Sequence, residues 1–189
     1  MKRIALSYLI ILWGALSAPS FASEASSLEL FELINQRLSY MKDVAAHKWV
    51  NDKPIEDLER ETIVLQKSMA KAKKEGLNAS SVEAFFIAQI TVAKNIQKAW
   101  HKEWEQKGFP LALEFEDLQA VRKSLISLGS EILASIKPAL PSLHNEKERT
   151  ALTQDFKRSI TTEKVTEKDI LLIFDGLVQI KAETLKTEL

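Results

Sequence analysis

Five charged residues in the first third of the chain could act together on one small anion. Arg37 and Lys48 are eleven residues apart. At 3.6 residues per helical turn that is close to three full turns, so both project from one face, ~16 Å apart along the axis. Arg37 adjoins the apolar Ile34 and Leu38, and Lys48 adjoins Ala45 and Trp49. Asp57, Arg60 and Glu61 form an i, i+3, i+4 set on a following segment. Any one of these residues alone reads as a solvated surface charge. Directed inward from separate helices, they would surround a single cavity with cations, which suits a small polyanion better than a metal. Other chemistries find little footing. The chain has no cysteine, and its histidines at 47, 101 and 144 lack ligand spacing. It contains no Gly-rich phosphate loop, no GxSxG and no HExxH. No metal and no cofactor are therefore expected. Lys and Arg balance Asp and Glu at 26 each, which removes the electrostatic basis for binding nucleic acid.

The elements that must position these charges read as helices throughout. Of 189 residues only 5 are Gly and 5 Pro, and 7% are aromatic, a composition that favours helix over sheet. Phe31, Ile34, Leu38, Met41 and Ala45 follow steps of three and four, predicting one long helix over about 27–50. Asn51-Asp52-Lys53-Pro54 breaks it. A second helix is expected from near Asp57 to Glu75, with Gly76 at its C-terminus. Ser80-Ser81-Val82-Glu83 reads as a capping box for a third, running to Gln106 before Gly108-Phe109-Pro110. A fourth is expected from near Asp117, with Leu118, Val121, Leu125, Leu128 and Ile132 inward, and with Pro138 and Pro141 as its end. Asn145 with Glu148, and Thr166 with Asp169, suggest two further starts. The fold class is thus all-α, a single domain of about six helices.

The N-terminus reads as a secretory signal. Met1-Lys2-Arg3 is basic, Ile4 to Ala18 is an apolar run, and Ser20-Phe21-Ala22 places small residues at −3 and −1 of a cleavage site. The run is shorter than the ~20 residues a spanning helix needs. Cleavage is expected after Ala22, with Ala25 second. That leaves residues 23–189 as the mature domain, with helices at about 27–137 and C-terminal helices at about 145–187. Periplasmic or extracellular localisation follows, with no membrane attachment after cleavage.

A longer pattern then meets a known family. Gln36-Arg37, Lys48-Trp49, Pro54-Ile55 and Arg60-Glu61, followed by Gly76-Leu77, Val82, Phe85-Phe86, Ala88-Gln89-Ile90, Gln97, His101, Trp104 and Asp117-Leu118…Arg122, resemble the all-helical chorismate mutases. The signal and the additional C-terminal helices make the chain similar to the secreted, gamma-class subfamily. The resemblance covers roughly residues 28–136.

Several expectations come from the resemblance alone. It implies that chorismate is the substrate and that prephenate is formed by an intramolecular Claisen rearrangement without a cofactor. Arg37 and Arg122 match arginines that hold substrate carboxylate, and Arg60 matches a further arginine of the same pocket. Lys48 matches the lysine that reaches the ether oxygen and a carboxylate, and Gln97 the Gln or Glu that donates to that oxygen from the other side. Asp57 and Glu61 match acidic positions that meet the substrate hydroxyl or neighbouring groups. The catalytic set is then Arg37, Lys48 and Gln97, within one chain, and a homodimer stays open. Ala93 stands where the family usually has Ser or Thr, and Val64 near where some members have Gln. A missing hydroxyl costs about 1 kcal/mol of binding. Two other readings stay open at this point: an exported binding module with a degenerate pocket, and a bundle whose cations form ordinary ion pairs.

Overall fold

The computed structural model describes residues 20–184, with side chains from residue 25 onward. The basic start and the apolar run of the expected signal lie outside the described residues. Seven helices follow in order: α1 (Ser20–Ser39), α2 (Met41–Val50), α3 (Leu58–Lys74), α4 (Ala79–Lys107), α5 (Leu118–Leu143), α6 (Arg149–Ser159) and α7 (Glu167–Val178). α1 and α2 are the expected long first helix, interrupted only at Tyr40. The ladder resumes at once, with the Val44 amide donating to the Tyr40 carbonyl. Ser39 supplies a local cause, because its hydroxyl donates to the Gln36 carbonyl, and such back-bonding bends helices. Taking α1 and α2 as one kinked rod gives six, the expected number.

The stripe read from the sequence is the core seam. Phe31, Ile34, Leu38, Met41 and Ala45 are all buried. α1 packs most extensively along α5, while α2, α3 and α7 all rest on α4 and α6 rests on α1. α3 matches its expected limits: Asp57 is its N-cap, and Gly76 just beyond it takes φ +71°, a conformation that costs glycine little. α7 starts with the expected Thr166–Asp169 capping box. It approaches α4 so closely that a Cβ on Gly176 would meet the Phe85 Cα at 3.0 Å.

Five boundaries differ from the sequence reading. α1 begins at Ser20 rather than near 27, and α7 ends at Val178 rather than near 187. α4 begins two residues early, capped not by Ser80 but by Asn78, whose side chain accepts from the Ser81 amide and the Ser80 hydroxyl. The Ser81 hydroxyl is drawn elsewhere, donating to the Asn78 carbonyl and accepting from the Lys181 amide. α5 does not stop at Pro138 but runs through both prolines to Leu143. Pro138, Pro141 and the residues four before them, Ala134 and Lys137, are exposed. Water can therefore replace the two lost hydrogen bonds, while Ile136, Ala139 and Leu143 bury the opposite side. α6 starts at Arg149 without a side-chain cap, because the Asn145 carboxamide instead accepts from the Lys147 amide.

The C-terminal part is strapped to the rest by polar groups. Asn35 on α1 donates to the Thr161 hydroxyl, and its Oδ1 accepts from the amides of Thr161 and Thr162 and from the Thr162 hydroxyl. Beyond α7 the chain returns to the α3–α4 turn. There Asn78 donates to the Lys181 carbonyl, and Glu183 donates to the Gly76 carbonyl.

Candidate active site

All seven residues singled out from the sequence line one cleft between α1, α2, α3, α4 and α5. Each reaches it from a scaffold that fixes its direction. Arg37 stands on the last turn of α1 between the buried Ile34 and Leu38. Its Nη1 donates to the Leu125 carbonyl at 3.0 Å, and its guanidinium lies 5.9 Å from the centre of the Phe86 ring. Lys48 stands on the last turn of α2, and its ammonium donates to the Ile55 carbonyl. The end of α2 is held by Trp49, which packs edge-on against His101 and Trp104, and by a hydrogen bond between the His101 ring and the Ala45 carbonyl at 2.9 Å.

Asp57 does two things at the start of α3. One carboxylate oxygen caps the helix by accepting from the Arg60 amide at 3.0 Å. The other faces Arg122 at 3.8 Å. Glu61, one turn along, accepts from Lys94 at 3.0 Å. Gln97 is 4% exposed on α4. Its Nε2 donates to the Ala93 carbonyl at 3.0 Å and contacts the Met41 sulfur at 3.7 Å, while its Oε1 has no partner.

Two more wall residues were not singled out from the sequence as site residues. Lys94 adds a fifth cation, so the lining carries Arg37, Lys48, Arg60, Lys94 and Arg122 against the carboxylates of Asp57 and Glu61. Gln89 is 1% exposed, and neither atom of its amide has a partner. Spacing could have found both: 89, 93 and 97 recur every four residues and 90, 94 and 97 follow the same face of α4. Ala93 lies on this wall with its methyl where a hydroxyl was expected. Val64 lies in an adjoining, largely apolar cavity that shares Arg37, Arg60 and Leu125 with the cleft.

The electrostatics are those of crowded, partly buried cations. Burial, and then the nearby Arg60, lower the Arg37 pKa to about 10. Arg60 is pushed down by burial and then by Arg122, with Asp57 opposing. Burial also lowers Lys48, against the upward pull of Asp57 and Glu61. Crowded cations with too few carboxylates favour a multiply charged anion, whose arrival relieves desolvation and repulsion together. Among the described residues, no group of three or more His, Asp or Glu could hold a metal ion.

Comparisons with known proteins bear on the family and the fold. The family model described as chorismate mutase type II matches residues 25–98. A secreted chorismate mutase of Yersinia pestis is 35% identical over 153 residues, covering 79% of this chain and 78% of the relative. A monofunctional chorismate mutase of Enterobacter agglomerans is 30% identical over 167 residues, covering 86% and 90%. Among solved structures, the crystal structure of the Yersinia pestis secreted enzyme superposes with a TM-score of 0.75 at 33% identity, covering 82% of this chain and 98% of that one.

Proposed function

The chain belongs to the type II chorismate mutases and rearranges chorismate to prephenate; from that premise we propose which of its side chains carry the reaction. The observation that supports the assignment best is the convergence of Arg37 from α1, Lys48 from α2, Arg60 from α3, Gln97 from α4 and Arg122 from α5 on one cleft. In the rearrangement the ether C–O bond breaks as a C–C bond forms, in one cyclic step. No proton is transferred and no nucleophile attacks, so what a protein can contribute is placement and charge.

Placement falls to the arginines. Arg37, Arg60 and Arg122 hold the two carboxylates, and the planar fork of a guanidinium suits a planar carboxylate better than an ammonium does. Charge falls to Lys48 and Gln97. As the C–O bond lengthens, negative charge grows on the ether oxygen, and donors already fixed beside it stabilise the transition state more than the ground state. The Lys48 ammonium has three protons, and Ile55 takes one. The Gln97 amide commits one N–H to the Ala93 carbonyl, which aims the NH₂. Its other N–H has only the Met41 sulfur, a weak acceptor that a substrate oxygen readily displaces. Asp57 and Glu61 hold Arg122 and Lys94 in position and leave carboxylate oxygen for the substrate hydroxyl.

The test is conversion of chorismate by the purified mature chain, followed by ultraviolet absorbance, beside binding of an oxabicyclic dicarboxylate that mimics the transition state. Lys48→Ala is expected to bind the mimic more weakly and to lose most turnover. Parent-like turnover in that variant overturns the assignment.

Export belongs to the same reading. The basic start, the apolar run and Ser20-Phe21-Ala22 support removal of a signal after Ala22 and work in the periplasm or outside the cell. A relative named as secreted agrees with it. N-terminal sequencing of the exported protein checks this, and an intact Met1 there refutes it. Because all seven residues line a cleft of one chain, each subunit of any homodimer carries its own site.

A further inference from the structure

We propose that Gln89 is a substrate-contacting residue whose Nε2 donates to the carboxylate held by Arg37. The inference rests on the mutase reading and extends it to a side chain with no assigned role. Gln89 lines the same cleft as the five cations, yet its amide is sealed from bulk water with neither Nε2 nor Oε1 partnered. Around it α4 is apolar: Phe85, Phe86 and Val92 are all buried. Packing alone would be served as well by leucine, without the desolvation of an amide. An amide kept dry and unpaired at a cleft wall is matched when a ligand brings its own polar atoms.

Its place on α4 indicates which atoms those are. Gln89 precedes Ala93 by one turn and Gln97 by two, so it sits ~12 Å along the axis from the residue assigned to the ether oxygen. Phe86 lies three residues before Gln89 on the same side of the helix, and the Arg37 guanidinium rests against the Phe86 ring. Gln89 is therefore at the Arg37 end of the cleft. Ala93, between the two glutamines, has no hydroxyl to offer the carboxylate, and the amide one turn away supplies a donor in its place.

The experiment compares the parent mature chain with Gln89→Leu by thermal midpoint, chorismate kinetics and binding of the oxabicyclic dicarboxylate. The proposal expects an unchanged or higher melting temperature together with a KM for chorismate and a Kd for the mimic raised about tenfold or more, as for loss of a hydrogen bond to a charged group, with kcat moved less. Parent-like KM and Kd overturn it and leave Gln89 as buried polarity only. Gln89→Glu decides the matter if the leucine variant does not fold: its KM should rise as the new carboxyl ionises beside a substrate carboxylate and recover in acid, and a KM as insensitive to pH as the parent's overturns the proposal. A parent chain that neither converts chorismate nor binds the mimic would instead remove the mutase reading itself, a result distinct from an active parent with an indifferent position 89.

Discussion

Asp169 and Gln89 are polar side chains sealed in helix interfaces, 5% and 1% exposed, and the molecule treats them in opposite ways. Asp169 opens α7 with every oxygen engaged. Oδ2 accepts from the Thr166 amide at 3.0 Å and its hydroxyl at 2.6 Å, and Oδ1 accepts from Asn95 at 2.7 Å. Gln89, on the helix that Asn95 also belongs to, has no partner at all. At the start of α7 the buried carboxylate is fully matched and so contributes stability. The cleft leaves Gln89 and the Gln97 carbonyl unmatched and crowds cations whose pKa values burial has lowered. Each unmet buried group costs about 1–3 kcal/mol, a cost retained where a ligand is to supply the missing partner.

That contrast breaks first, and furthest, at the arginines. Arg37→Ala, Arg60→Ala and Arg122→Ala should each cut kcat/KM by ~2–5 kcal/mol of transition-state binding, while far-UV circular dichroism stays that of the parent. Near-full activity in all three would erase the distinction between cleft and scaffold. Gln97→Glu should act next. The parent should be flat from mildly acid to mildly alkaline pH, because an amide donates throughout. Its kcat/KM should then fall below the usual lysine range, where Lys48, lowered by burial, gives up its proton. The variant should decline steadily as pH rises, since an ionised carboxylate offers no donor and repels the forming oxyanion, and should recover part of its rate in acid. Rate against pH for both proteins, with stability followed at each point, is the check.

On the satisfied side the expected effect is of another kind. Asp169→Ala should lower unfolding stability by about 1–3 kcal/mol, measured by urea denaturation, and leave kcat/KM at 25 °C close to the parent's. A strong kinetic loss without a stability loss would place α7 in the catalytic apparatus. The smallest change is expected from Ala93→Ser, which restores a hydroxyl on the wall between the two glutamines. It should be neutral or tighten substrate binding by at most ~1 kcal/mol, read as KM. A large loss would mean that α4 presents this wall differently, and would unsettle Gln97 with it.

Sequence periodicity revealed the core seam, because the same 3.6-residue repeat that makes an amphipathic helix also selects which face is buried. Spacing likewise brought Arg37, Lys48, Asp57, Arg60 and Glu61 together, the family resemblance added Gln97 and Arg122, and all seven share one cleft; the Thr166–Asp169 cap, local by nature, was legible as well. What the sequence reading misplaced depends on surroundings. Pro138 and Pro141 break helices unless their lost hydrogen bonds face water, and which side of α5 faces water is set by α1. Ser80 lost the α4 cap to Asn78 because the returning tail engages Ser81 and Asn78. Gln89 reads as an ordinary polar residue until its burial is known, since an unpaired amide is a property of what lies around it.

Asn35 has a bearing on the order in which the chain can assemble. Its partners lie 126 and 127 positions downstream, and Gly76 and Asn78 likewise await Glu183 and Lys181. Such distant closures come late, after loop entropy has been overcome by nearer contacts. A chain emerging from its N-terminus therefore holds every residue of the cleft, up to Leu125, well before the straps that steady their helices exist. The enzyme is complete in chemistry long before it is complete in architecture, and the described residues after α7 act as a latch on a cleft that they do not line.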